Sequence, residues 1–325
     1  MKTIRKIAVL TSGGDAPGMN AAVRAVVRTA LYNDVEVVGV RRGYQGMIEK
    51  DFVDLEGTSV SNIIQRGGTI LKSARSDEFR TKEGRAKAAD NIKELGVEAL
   101  VVIGGDGTFQ GATHISQEHE LNVVGIPGTI DNDLYGTDET IGYDTALNTA
   151  MEAIDKIRDT ADAHDRLFLV EVMGRDAGFI ALETGIAGGA ELIMLPETLT
   201  QMSEVKKQLS DVFQSHQRSS LVVVAEGEET GGALKLSENL KEDFGKYDMR
   251  VCILGHTQRG GAPTARDRVL ASRLGMAAVE TLIEGHTNVM IGLVNNGIKL
   301  TPMKNTWARK KSIDFKMLEL AKILS

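Results

Sequence analysis

Short apolar runs alternate along the chain with longer segments in which apolar residues return every three or four positions. The runs Lys6–Thr11, Val35–Val40, Ala99–Ile103, Val123–Ile126, Leu167–Val172, Leu192–Leu195, Leu221–Ala225, Arg250–Leu254 and Val289–Val294 predict strands. Several lack polar alternation, as strands covered on both faces of a parallel sheet do. Between them, Ala21–Leu31, Lys82–Leu95, Thr145–Arg158, Ser203–Ser215 and Thr264–Glu284 carry the helical period. In the first of these, Val23, Val26, Val27, Ala30 and Leu31 form one stripe. The alternation predicts an α/β protein with doubly wound, mainly parallel sheets, and the number of strands calls for more than one sheet.

The chain has 325 residues, enough for two domains of ordinary size. Its composition, 42% hydrophobic and 26% charged, is that of a globular protein. The 35 glycines gather at strand ends, which fits many tight strand-to-helix turns. No Pro- or Ser-rich linker separates the halves, so we expect two domains joined by several crossings, with a cleft between them. The single cysteine, Cys252, excludes an internal disulfide and carries no argument for secretion. No apolar stretch approaches the roughly 18 residues that cross a membrane. Met1–Lys6 runs into a strand without signal-peptide architecture, so a cytoplasmic location without a membrane partner is expected. The net charge of −7 argues against bulk nucleic-acid binding, which needs a basic face. An anionic substrate would have to be held by local arginines.

Chemistry concentrates at the carboxyl ends of predicted strands, where open α/β sheets bind their ligands. Thr11–Asn20 contains Gly13 and Gly14 ahead of a helix, a turn able to approach a phosphate, although glycine is also the default in any tight turn. Neither the dinucleotide fingerprint nor the P-loop is met there. Gly104-Gly105-Asp106-Gly107-Thr108 offers Asp106 as an oxygen ligand for Mg²⁺ carrying nucleotide phosphates. Its structural alternative is an Asp-Gly turn capping a helix that starts near Thr108. In Pro127–Asp133, Asp131 and Asp133 share one side of an extended segment, and two such carboxylates need a cation or a shared proton. Arg75, Arg175 and Arg259 stand beside glycines, and Arg166 and Arg250 precede strands. The guanidinium fork suits phosphate oxygens. His256 fits a phosphate donor and a hydrogen-bonded loop histidine equally well. A zinc site is not expected, because Cys252 and His256 have no second pair at ligand spacing.

Together the motifs Thr11–Asn20, Gly104–Thr108, Pro127–Asp133, Met173–Arg175 and Gly255–Gly261 stand in an order that resembles the bacterial ATP-dependent 6-phosphofructokinases over nearly the whole chain. The resemblance implies two Rossmann-like domains with the active site in the cleft between them. Residues 1–140 and 257–304 would bind ATP; residues 141–256 and 305–325 would bind the sugar phosphate. Gly14, Tyr44, Arg75, Ser76, Asp106, Gly107, Thr108 and Gly111 look like the ATP side, with Mg²⁺ on Asp106 and on Asp133 through water. Asp131 resembles the base that takes the sugar 1-hydroxyl proton. Thr129 and Arg175 would hold the γ-phosphoryl group, with Gly14 and Arg75 also in the catalytic set. Met173, Gly174, Glu226, His256 and Arg259 resemble sugar-phosphate contacts beside Thr129, Asp131, Asp133 and Arg175. Arg166 and Arg250 match residues that reach a neighbouring subunit's site, which implies a homotetramer. Pyrophosphate-dependent relatives carry Asp at the position of Gly107 and Lys at that of Gly128, so both glycines point to ATP. Arg24, Arg28, Arg158 and Glu191 fit the family's effector site, where the resemblance implies a nucleotide activator and a phosphoenolpyruvate inhibitor. Gly57, where relatives have Arg, and Ser215 and Gln217, where relatives have several lysines, weaken it. The resemblance implies a glycolytic kinase acting on fructose 6-phosphate. Another kinase with a Gly-Gly-Asp-Gly-Thr turn, acting on NAD or a lipid, and a non-catalytic nucleotide sensor are the rivals.

Overall fold

The computed structural model describes residues 4–162, 166–199, 201–214, 220–245 and 247–324. In chain order it contains β1 (Lys6–Thr11), α1 (Met19–Tyr32), β2 (Glu36–Val40), α2 (Gly43–Glu49), β3 (Phe52–Asp54), α3 (Lys82–Glu94), β4 (Ala99–Gly104), α4 (Asp106–His119), β5 (Asn122–Pro127), α5 (Tyr143–Asp162), β6 (Arg166–Val172), α6 (Phe179–Ala187), β7 (Leu192–Met194), α7 (Met202–Gln214), β8 (Ser220–Ala225), α8 (Gly232–Phe244), β9 (Asp248–Ile253), α9 (Ala265–Ile283), β10 (Val289–Val294), β11 (Gly297–Pro302), α10 (Met303–Ala308) and α11 (Phe315–Leu324).

The chain divides into two compact units. The first comprises Met1–Ile130, Leu134–Thr145 and Arg259–Lys311; the second comprises Asp131–Asp133, Ala146–Gln258 and Ser312–Ser325. A seven-stranded sheet in the order β11-β10-β5-β4-β1-β2-β3 organises the first. Its inner pairings are parallel, and only the edge pairings of β11 with β10 and of β3 with β2 are antiparallel. Ala8, Leu10, Leu100 and Val102 pack one face against Phe109, Ile115, Ala88 and Ile92 of α4 and α3. The alternate residues Ile7, Val9, Val101 and Ile103 are equally buried, so both faces are covered. In the second unit β7-β8-β6-β9 form an all-parallel sheet. Leu167, Leu169, Val222 and Val224 pack there with Leu209, Leu236, Leu240 and Phe244. The α/β class and the mainly parallel sheets agree with the sequence pattern.

Four readings are corrected. Leu31 is exposed on α1, whereas Val23, Val26, Val27 and Ala30 are buried. Arg166 is the first residue of β6 and Arg250 lies within β9, so neither precedes its strand. Helix α4 begins at Asp106 rather than near Thr108. Asn132 sits at φ +53°, so the segment carrying Asp131 and Asp133 is not extended and the simple two-residue alternation fails. Ser215 and Gln217 lie outside the described residues.

Candidate active site

In the first unit, strand register brings three loops side by side. Thr11 pairs with Ile103, and Gly104 with Pro127, so the turns after β1, β4 and β5 leave the same sheet edge. Ser12 N–H donates to Ile103 O (3.0 Å) and Gly128 N–H to Gly104 O (3.0 Å), which extends the ladder into the turns. Gly105 caps α4 in extended conformation without a side-chain bond. The first amides of α4 therefore have no cap at the positive end of the helix dipole. Asp106 and Gly107 are exposed there. Thr108 is 3% exposed, and its Oγ1 has no hydrogen-bond partner among the described residues. A Cβ placed on Gly107 meets no atom within 4 Å.

These residues fit phosphate oxygens carrying a divalent cation. Mg²⁺ keeps several waters and takes one or two carboxylates besides the substrate phosphates. Among the described residues, no three His, Cys, Asp or Glu side chains gather to hold a metal alone. Asp106, beside an orphaned buried hydroxyl and open glycines, suits the shared arrangement.

Arg259 belongs to this unit and stands against Gly14: a Cβ on Gly14 would come within 2.6 Å of its Nη1. Its Nε is buried without a hydrogen-bond partner among the described residues. The sequence assigned Gly14 and Arg259 to different reactants; the structure makes them neighbours. Tyr44 is buried, donates its hydroxyl to Thr108 O at 2.5 Å, and stacks on Phe79 with centroids 4.0 Å apart. Burial pushes its phenol well above the ordinary value. A Cβ on Gly111 would fall 2.9 Å from the Tyr44 ring, so these two residues meet under α4. The Ser76 hydroxyl donates to Gln45 Oε1 (2.6 Å) and accepts the Phe79 N–H (3.2 Å), while Arg75 beside it is exposed. Thr129 is half-buried, and its carbonyl accepts the Thr140 hydroxyl at 2.6 Å.

In the second unit Asp131 is 3% exposed, and Arg175 Nε lies 3.4 Å from its Oδ2. Arg175 occupies the turn after β6, at φ +51°, following Gly174 at φ +149°. Glu226, directly after β8, accepts the Arg175 N–H at 2.7 Å. Met173 N–H donates to Gln258 Oε1 at 2.8 Å. Met173, Gly174, Arg175 and Glu226 are thus brought together with Asp131; Asp133 is half-buried and His256 is exposed. Arg166 Nε and Arg250 Nη2 both bind Asp248, at 2.8 and 3.0 Å, on the edge strand β9. Arg166 first, then Arg250, holds the Asp248 carboxyl below its ordinary value.

Of the effector candidates, half-buried Arg24 and exposed Arg28 lie on α1, in the first unit. A Cβ on Gly57 would fall 3.4 Å from Arg28 Nη1. Arg158 and Glu191 meet in the second unit. Arg158 donates to Gly188 O (2.5 Å) and Gly189 O and lies 3.7 Å from Glu191, whose other oxygen accepts the Leu221 N–H. Two buried residues with structural roles, Gln258 beside Met173 and Asp267 at the start of α9, escaped the sequence reading. Gln258 sits between the two residues singled out there, His256 and Arg259, and no composition rule marks a buried amide. Asp267 stands three residues after Thr264, a capping-box spacing visible in the sequence.

The Phosphofructokinase family model matches residues 6–282. ATP-dependent 6-phosphofructokinase 1 of Thermus thermophilus is 56% identical over 322 residues, covering 99% of this chain and 100% of that protein. ATP-dependent 6-phosphofructokinase 2 of Bacteroides thetaiotaomicron is 53% identical over 325 residues, covering 100% of each. The solved structure of phosphofructokinase from Saccharomyces cerevisiae superposes with TM-score 0.88 at 38% identity, covering 98% of this chain and 48% of that longer one. The chain belongs to the phosphofructokinase family.

Proposed function

We propose that this chain transfers the γ-phosphoryl group of Mg-ATP to the 1-hydroxyl of fructose 6-phosphate, giving fructose 1,6-bisphosphate and ADP. The observation that carries the reading is the buried Asp131 carboxylate with Arg175 Nε 3.4 Å away. Phosphoryl transfer needs positioning and charge stabilisation more than covalent steps. Asp131 takes the proton from the sugar 1-hydroxyl, whose oxygen bonds the γ-phosphorus as the bond to the β,γ-bridging oxygen breaks and ADP leaves. Arg175 and Thr129 receive the charge that builds on the transferring group. The first unit holds the donor through Gly14, Arg75, Asp106, Gly107, Thr108 and Gly111, with Tyr44 supporting the loop from below; the second holds the sugar phosphate through Met173–Arg175, Glu226 and His256. Arg259, beside Gly14, fits an anion of either reactant. When bound, Mg²⁺ neutralises the β- and γ-phosphates; Asp106 would hold it, and Asp133 through water.

Arg166 at the start of β6 and Arg250 on the edge strand β9, both bound to Asp248, support a homotetramer in which they serve a neighbour's site. No helix among the described residues is long and apolar enough to cross a membrane. An ADP-coupled assay tests the reaction: turnover with ATP and fructose 6-phosphate is expected, and little with pyrophosphate. Phosphorylation of NAD or a lipid but not of fructose 6-phosphate would reverse the assignment, and binding without turnover would favour a nucleotide sensor.

A further inference from the structure

Glu226 follows β8 and Gln258 follows β9, the two strands that flank β6. The turn leaving β6 is held from both sides. Gln258 Oε1 accepts the Met173 N–H at 2.8 Å; Glu226 Oε1 accepts the Arg175 N–H at 2.7 Å and approaches the Gly174 N–H at 3.4 Å. Three successive amides therefore end on two side chains. The turn needs such holding, because Arg175 is a non-glycine residue at φ +51°, a conformation that persists only where its surroundings impose it. A Cβ on Gly174 would lie 2.3 Å from Ala177 O, so the turn accepts only glycine there, and that residue's own freedom does not hold the backbone in place.

The choice of residue at 258 is specific. Gln258 is 0% exposed, and its Nε2 has no hydrogen-bond partner among the described residues. The Met173 N–H fixes the amide orientation, since only the carbonyl oxygen can accept it. An apolar side chain would orphan a buried N–H, whereas a carboxyl group would keep the acceptor by holding a proton, since no solvent reaches a charge there. Glutamine supplies a neutral acceptor at that reach at every pH, and its Nε2 is left without a hydrogen-bond partner among the described residues.

We infer that Gln258 is a positioning residue: by holding Met173 it sets the turn that aims Arg175 at Asp131. This rests on the kinase reading above. The test compares Gln258→Met, which keeps the shape and removes the acceptor, with Gln258→Glu, which keeps the acceptor. In Gln258→Met, KM for fructose 6-phosphate is expected to rise and kcat to fall about tenfold each, with KM for ATP within about twofold of the parent. Gln258→Glu is expected to recover most of the lost kcat. Amide hydrogen exchange in a peptide spanning residues 170–178 reads the same bond without turnover: it should quicken in Gln258→Met and stay slow in Gln258→Glu. Unchanged exchange and kinetics in Gln258→Met would overturn the inference, as would equal losses in both variants. If the parent chain fails to phosphorylate fructose 6-phosphate, the kinase reading falls, and the exchange result still decides whether Gln258 holds the turn. Should Gln258→Met not fold, Gln258→Ala takes its place in the same comparison.

Discussion

Asp131 and Gly107 carry opposite kinds of evidence. Asp131 is buried with Arg175 against it, so its chemistry can be removed while its volume is kept. Asp131→Asn is expected to lower kcat by about 10²–10⁴ with a smaller change in either KM. Steady-state kinetics on a variant with an unchanged circular dichroism spectrum checks this, and full turnover would remove Asp131 from its role. Gly107 is exposed in the first turn of α4, with open space where a Cβ would go. Gly107→Asp should therefore fold normally, its carboxylate sitting favourably at a helix N-terminus. If Gly107 lines the ATP phosphates as proposed, the new charge should still raise KM for ATP by about tenfold or more. Gly128 differs: a Cβ there meets Ile103 Cγ2 at 3.1 Å and Met19 Cε at 3.2 Å. Gly128→Lys should cost about 1–3 kcal/mol of stability through overpacking, whatever it does to the donor. Thermal melts of the two variants separate the effects; equal loss of stability in both would contradict the described spaces.

At the scale of elements, the helices α5 and α9 are tied at their N-termini. Thr264 caps α9 by accepting the Asp267 N–H, and its hydroxyl donates to Asp144 in the first turn of α5. Asp267, 1% exposed, accepts the Gly142 N–H (2.8 Å), the Thr145 N–H (2.8 Å) and the Thr145 hydroxyl (2.5 Å). Burial raises the Asp267 carboxyl above its ordinary value, against those hydrogen bonds. A carboxyl with a raised folded pKa contributes most below its unfolded pKa and loses that contribution as pH rises through the folded one. The stability advantage of the parent over Asp267→Asn should thus shrink as pH rises above the ordinary carboxyl range in urea titrations; growth with pH would refute it. The Thr264–Asp267 spacing was legible, but its second use, on a helix more than a hundred residues away, was not. Strands buried on both faces announced themselves through unbroken apolar runs. The edge strands β3 and β11, with exposed positions and little apolar length, did not. The glycine turns after β1, β4 and β5 were legible because tight turns at strand ends favour that residue type. Gln258 was not, because its role depends on which amide lies opposite, and the left-handed Asn132 left no mark either.

For the whole molecule, the open question is regulation. A net charge of −7 gives no general attraction for an anionic effector, so response depends on local cations. Arg24 and Arg28 on α1 are the cations one unit contributes among the effector candidates, and Gly57 beside Arg28 adds none. In the other unit, Arg158 spends its guanidinium on the carbonyls of Gly188 and Gly189 and on Glu191. An anion would have to compete with those partners, and each charge-assisted contact missing from a phosphate site weakens it. We therefore expect phosphoenolpyruvate to change the fructose 6-phosphate saturation curve by no more than about twofold. Gly57 has no positive φ, and the atoms nearest its added Cβ belong to the end of the Arg28 side chain, so an arginine there fits with a small shift. Gly57→Arg adds a cation beside Arg28, repulsive without ligand and favourable with a shared phosphate. It should raise sensitivity to phosphoenolpyruvate about tenfold while leaving kcat without effector unchanged. Strong cooperative inhibition of the parent chain in steady-state assays would show that these few cations suffice. A Gly57→Arg variant with no added response would show that charge at this position does not set it.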